Sequence, residues 1–282
     1  MQTPRISASS YSNTAPLIWS FLYGSQHGRV ELILDNAPAR SAELLAQDRT
    51  DAALVPVIAY QQLEGLRVIS DVCVGAMRHA QSVCLITRDK DLSDVRSVAL
   101  DTSSRTSVVL TKILFREFLG NEPEWRSAEP DIGRMLDSND AALLIGDPAL
   151  SIAEFETRNR ESSDIETPHS ALESSAWRKF DLAGLWHQYT GLGFVFAMWM
   201  TKRDSTPIDF AAARDEGIDH IPEIVANYLP EIGLTADEVT RYLSECITYQ
   251  VNESMHAGMK LYFELGAKCG LIESAKPIRY LE

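Results

Sequence analysis

Along the first 150 residues, short apolar runs alternate with stretches whose apolar positions recur every three or four residues. "RISA" (5–8), "VELIL" (30–34), "AALVP" (52–56) and "SVCLIT" (82–87) are too short for helices and predict strands. Between them, "APLIWSFLYG" (15–24) and "PARSAELLAQD" (38–48) have helical periodicity. Each carries a proline in its first turn, and Gly24 closes the first. This alternation predicts an α/β fold with parallel pairs and right-handed crossovers.

The charged stretch "TRDKDLSD" (87–94) interrupts the pattern, which then restarts. "SVALD" (97–101) predicts a strand, "TSSRTS" (102–107) a polar corner, and "VVLTKILFREFLG" (108–120) a helix stopped by Gly120. The corner matches an earlier one, Ser9 to Thr14, which is also dense in hydroxyls. A second echo follows at similar distance. "DAAL" begins at Asp51, 38 residues after Asn13, and again at Asp140, 35 residues after Arg105. Paired corners followed by paired strands predict two lobes built on one plan.

Residues 151–180 are polar and irregular, and "GFVFAMWM" (193–200) reads as a buried strand. From 206 onward the pattern is helical, with a capping box at "TADE" (235–238) and a helix over 254–270. A helical tail packing back on the first lobe divides the chain into 1–90 with 192–282, and 91–191. The crossings are then expected near 88–92 and 189–193, and 151–180 is either a lid or a loose surface loop.

Twenty-six Lys and Arg against 40 Asp and Glu give a net charge of −14, which disfavours nucleic acid and anionic membranes as partners. A small anionic substrate remains compatible, because local N–H groups and one Arg can make a positive pocket. Cys73, Cys84, Cys246 and Cys269 form no C-x-x-C pair and predict buried, reduced thiols. With no basic-then-apolar leader in "MQTPRISASSYSN" and no long apolar run, the expected location is cytoplasmic.

Ligands of open α/β sheets bind beyond the carboxyl ends of the strands, where helices begin. Three corners qualify: the one holding Ser12, Asn13 and Thr14; the one holding Ser104, Arg105, Thr106 and Ser107; and Gly146–Asp147 after "AALLI". Backbone N–H groups there, helped by hydroxyls and Arg105, suit a carboxylate or phosphate. The same residues also suit plain helix capping, and Asp101 and Asp147 suit capping as well as proton transfer. The six histidines lack metal-site spacing, so no metal is expected, and nucleophile-elbow, P-loop and dinucleotide motifs are missing. Trp19, Trp186 and Trp199 are expected in the core.

"ISASSYSNTAPL", "PARSAELLAQDRTDAALVPVIAY", "SVALDTSSRTSVVL", "AALLIGDPAL" and "YTGLGFVFAMW" together resemble the menaquinone-biosynthesis family of the futalosine pathway, in its chorismate dehydratase branch. The sister branch, which makes 1,4-dihydroxy-6-naphthoate, typically has a Cys-Pro-Asn-Asp-Thr-type corner where this chain has Tyr-Ser-Asn-Thr. Ala59 departs from the pattern by standing where an acidic residue is expected. The resemblance implies a two-lobed fold like the type II periplasmic binding proteins, with the ligand cleft between lobes. It implies loss of water from chorismate without metal or organic cofactor. Asn13 would then position the substrate or its leaving hydroxyl, while Ser82 and the Ser104–Ser107 turn grip carboxylates. A non-catalytic carboxylate-binding protein of the same fold and the sister naphthoate enzyme are the alternatives. Monomer and homodimer both stay open.

Overall fold

The computed structural model describes residues 3–152 and 177–281, so most of the 151–180 stretch, with its lid-or-loop alternatives, lies outside the described residues. The chain builds β1 (Arg5–Ser9), α1 (Ala15–Leu22), β2 (Glu31–Asp35), α2 (Pro38–Ala46), β3 (Ala52–Pro56), α3 (Ala59–Gln62) and β4 (Arg67–Ala76). It continues through β5 (Val83–Arg88), β6 (Ser97–Asp101), α4 (Thr106–Ile113), β7 (Glu124–Ala128), α5 (Ile132–Asp137), β8 (Ala141–Ile145) and α6 (Gly146–Ser151). Then come β9 (Trp177–Asp181), α7 (Leu182–Thr190) and β10 (Phe194–Thr201). The helical tail holds α8 (Phe210–Asp219), α9 (Ile221–Ile232), α10 (Ala236–Arg241) and α11 (Glu253–Lys268).

Two five-stranded sheets result, in the orders β2-β1-β3-β10-β4 and β7-β6-β8-β5-β9. In each, three strands run parallel and the fourth position is filled antiparallel, by β10 in the first sheet and β5 in the second. The sheets are therefore mixed, where alternation alone predicted parallel pairing. The DAAL echo marks equivalent strands: Ile6 pairs with Ala52 and Val98 with Ala141. Its aspartates do equivalent work. Asp51 accepts the backbone N–H of Arg5 at 2.8 Å, and Asp140 accepts that of Arg96 at 2.9 Å, so each ties the DAAL strand to the start of its neighbour.

The chain passes from the first sheet to the second between Ala76 and Val83, not within 88–92. Charged residues there serve the turn after β5: the Thr87 hydroxyl donates to the Lys90 carbonyl at 2.7 Å, and Lys90 pairs with Asp140. The return falls between Asp181 and Phe194.

Strand side chains alternate between two buried faces. Leu85, Leu100 and Leu143 join a core shared with the first sheet, while Cys84, Ile86, Ala142 and Leu144 pack against α5 on the far side. Trp186 and Trp199 are fully buried, and Trp19 is half-buried, stacked on His220 at 3.8 Å between ring centres. The capping box at Thr235 and Glu238 forms. The four cysteines form no disulfide; Cys73 and Cys84 are buried as expected, but Cys246 and Cys269 are only half-buried. Among the described residues no helix is long and apolar enough to cross a membrane.

Candidate functional site

Where the carboxyl ends of β1, β6 and β8 converge, a narrow cavity of about 60 Å³ lies between the sheets. Leu54, Pro56, Val74, Phe196 and Ile247 make an apolar wall, and Asn13, Thr14, Ser82, Ser104, Arg105, Thr106, Ser107 and Gly146 supply the polar one. Eight of the ten residues singled out from sequence thus line one space. Ser12 and Asp147 do not.

Those two bind each other instead. After Tyr11 the chain makes a single tight turn, Ser12–Thr14, and its leading N–H groups need an acceptor. Asp147 provides it across the gap between sheets: the Ser12 N–H lies 3.1 and 3.2 Å from its carboxylate oxygens, and the Ser12 hydroxyl also donates to it. The first corner does hold an anion, but that anion is the protein's own. Burial raises the Asp147 pKa, opposed by the Ser12 bonds. Asp101 is likewise structural. It accepts the Ser103 N–H at 2.8 Å, the Ser103 hydroxyl at 2.6 Å and the Ile145 N–H at 3.3 Å, and burial raises its pKa too.

The second corner is left open to the cavity. Side chains cap α5, α7, α8, α10 and α11, whereas α4, like α1, α2, α3, α6 and α9, has no side-chain cap. Ser104 and Ser107 are almost fully buried, and among the described residues their hydroxyls have no protein partner. Arg105 is the cavity wall's one charged side chain among the described residues. Its guanidinium reaches across to Glu43 of α2 at 3.2 Å and stays about a third exposed.

Other expected groups are already engaged. The Thr106 hydroxyl donates to the Phe196 carbonyl at 3.0 Å, tying α4 to β10. Ser82 donates its proton to the Ala80 carbonyl at 3.2 Å. Thr14 donates to Asn13 Oδ1 at 3.3 Å. Ala59 is fully buried in the core, away from the cavity wall.

Tyr11 belongs to the first corner read from sequence, and a second tyrosine, Tyr242, escaped sequence reasoning. The Tyr11 ring lies over Gly146, whose φ is 67°, and a Cβ there would stand 2.6 Å from the ring. Only glycine fits both demands. Burial raises the Tyr11 pKa, so the phenol keeps its proton. Tyr242 is fully buried and donates to Ser82 Oγ at 2.7 Å. It sits where α10 widens into an i→i+5 turn, closed by the Ile247 N–H to the Tyr242 carbonyl at 3.1 Å. Such widenings often accompany functional sites, but "RYLSECI" shows only helical periodicity.

A family model described as menaquinone biosynthesis matches residues 4–268. The chorismate dehydratase of Thermus thermophilus is 30% identical over 263 residues, covering 90% of this chain and 92% of that protein. Among solved structures, a protein of Archaeoglobus fulgidus aligns with a TM-score of 0.66 at 16% identity, covering 95% of this chain and 98% of that one. The periplasmic aliphatic sulphonate binding protein SsuA from Escherichia coli aligns at 0.61 and 15% identity, covering 99% and 93%. At these identities the structural likeness speaks for the fold, that of the periplasmic binding proteins.

Proposed function

The chain belongs to the menaquinone biosynthesis family, and on that premise we propose that it is a chorismate dehydratase. It would convert chorismate to 3-[(1-carboxyvinyl)oxy]benzoate and water, in keeping with the name its Thermus relative carries. The observation that carries this reading is the uncapped first turn of α4, which opens with Ser104, Arg105 and Ser107 onto a cavity walled opposite by Asn13.

In the elimination, the ring carbon bearing the enol ether loses its proton and the neighbouring C–O bond to the hydroxyl breaks. The new double bond completes an aromatic ring, and the proton and hydroxide leave as water. Product stability supplies much of the driving force, so the protein's task is orientation within a dry space. One substrate carboxylate is received by the α4 N–H groups, the two serine hydroxyls and Arg105. The apolar wall of Leu54, Val74, Phe196 and Ile247 packs the ring.

No carboxylate or imidazole lines the cavity among the described residues. The reading therefore gives the ring proton to a carboxylate of the substrate itself. Asn13, which lines the cavity, meets the departing hydroxyl.

Purified protein incubated with chorismate alone should yield a product lighter by one water, with aromatic absorbance, seen by mass spectrometry and ultraviolet spectra. Chorismate unchanged after hours overturns the reading. If chorismate raises the melting temperature yet is recovered intact, a carboxylate-binding protein is the better description. Turnover of the cyclic futalosine-derived substrate instead would indicate the sister enzyme.

A further inference from the structure

A second and larger space opens where the chain crosses from the first sheet to the second. This cleft, of about 690 Å³, takes its walls from the crossing itself, from β9 and from the widened turn after α10. Both halves of the molecule therefore contribute to it. It also shares a wall with the cavity. Gln81 lines the cleft while Ser82 lines the cavity, and Cys246 lines the cleft while Ile247 lines the cavity. Two backbone segments thus stand between the spaces, and Tyr242 on one of them donates to Ser82 on the other at 2.7 Å.

The whole chain carries a net charge of −14, yet cations gather at this cleft. Arg78, Lys179 and Arg241 line it, with His79 beside them. Among the described residues neither arginine has an ion-pair partner. Lys179 gives one N–H to the Ala149 carbonyl at 2.9 Å and keeps two. Of the two acids in the wall, Asp181 is committed to backbone. It accepts the N–H groups of Ala80 at 2.9 Å, Gln81 at 2.6 Å and Gly184 at 2.9 Å. Those bonds hold Gln81 at φ 59°, a left-handed conformation that is unfavourable for a residue with a side chain. Such strain persists where its surroundings over-determine it, and it clusters at ligand sites. Glu245 is the other acid, exposed at the rim. Two unpaired guanidinium groups and an ammonium outweigh that single uncommitted carboxylate.

We infer that this cleft is a second binding site, for a small organic anion bearing two or more negative charges on phosphate or carboxylate groups. Arginine forks grip either group through paired N–H donors. Met77 and the half-buried Cys246 offer apolar surface for the ligand's carbon frame. The volume falls within the range of ordinary small-molecule sites, about 300–1,000 Å³. Because the bound anion rests against the wall that carries Ser82 and Ile247, it regulates binding in the cavity. That regulatory role rests on the dehydratase reading; the site itself does not.

Calorimetric titration at fixed ionic strength, with pyrophosphate and citrate as separate titrants, tests the site. At least one should bind with a Kd below about 1 mM, and which one binds separates a phosphate ligand from a carboxylate one. The double variant Arg78→Ala, Arg241→Ala should lose about tenfold or more in affinity, and Glu245→Gln should gain a few-fold. Arg105→Ala, altered in the cavity, should bind the anion as wild type does. No heat from either anion up to about 10 mM overturns the site. Binding that is lost in Arg105→Ala and kept in the double variant also overturns it, by placing the anion at α4.

For the regulatory role, saturating anion should shift the wild-type KM for chorismate by about fivefold or more and leave that of the double variant unchanged. Wild-type kinetics that are the same with and without the anion overturn that role. If wild type fails to turn over chorismate, the function reading falls, while the calorimetry still decides the site.

Discussion

Asn13 caps no helix: neither the Ser12–Thr14 turn nor α1 takes a side-chain cap. Asn13→Ala should therefore lower kcat/KM by about 100-fold, the usual cost of losing one transition-state donor. Its urea midpoint should stay close to wild type. A stability loss of about 1 kcal/mol with unchanged rate would mean a cap after all. Arg105 is held by Glu43, so substrate must compete with a resident carboxylate. Glu43→Gln should lower KM by a few-fold and Arg105→Ala raise it by about tenfold, measured by initial rates. The residue types of the site were legible from sequence, as hydroxyls and amides crowded at strand ends. Their commitments were not. Nothing in "SYSNT" tells that Ser12 spends its donors on Asp147, a partner 135 positions away. Tyr242 lay hidden because a buried tyrosine in a helix looks like any other core aromatic.

Elements that bury both faces or obey simple alternation are visible in the periodicity, β3 and β6 to the residue. Those that break the pattern are not. β4 contains Asp71 at φ 64° and pairs with β10 through two register shifts, so its apolar spacing is irregular. β9, "WRKFD", is an edge strand with few apolar residues, which merges with the polar stretch before it. Close packing of α1 on α8 depends on Gly217, where a Cβ would strike the Pro16 carbonyl. Gly217→Ala should destabilise by about 1–3 kcal/mol, the range for overpacking, seen as a lower urea midpoint. Because α1 follows directly from the Asn13 corner, kcat should fall with it. A midpoint and rate matching wild type would show that α8 shifts freely.

The whole molecule was legible as two copies of one plan because the DAAL aspartates and polar corners recur at matching places in both sheets. The crossing point was not, because the charge at 87–94 stabilises a turn inside the second sheet instead of linking the two. Around the cavity the two halves meet through polar contacts: Ser12 with Asp147, Arg105 with Glu43, Thr106 with the Phe196 carbonyl. Asp147 brings a pH dependence to this seam. Its folded pKa is raised by burial, so the native state holds the proton more tightly than the unfolded chain. Its contribution to stability is then lost as pH climbs from the ordinary carboxylate range, about 3.9, through the raised value. Asp147→Asn titrates nowhere, so as pH rises above the ordinary carboxylate range its urea midpoint should improve relative to wild type. A constant difference would remove Asp147 from the pH response.

The antiparallel strand in each sheet also orders events during synthesis. All strands of the second sheet lie between Val83 and Asp181, but the first cannot complete itself until Phe194–Thr201 inserts between β3 and β4. As the chain leaves the ribosome, the later-encoded sheet closes first, while the first three strands wait with the edge of β3 unpaired. That edge is the protein's period of exposure to aggregation, and the arrival of β10 ends it.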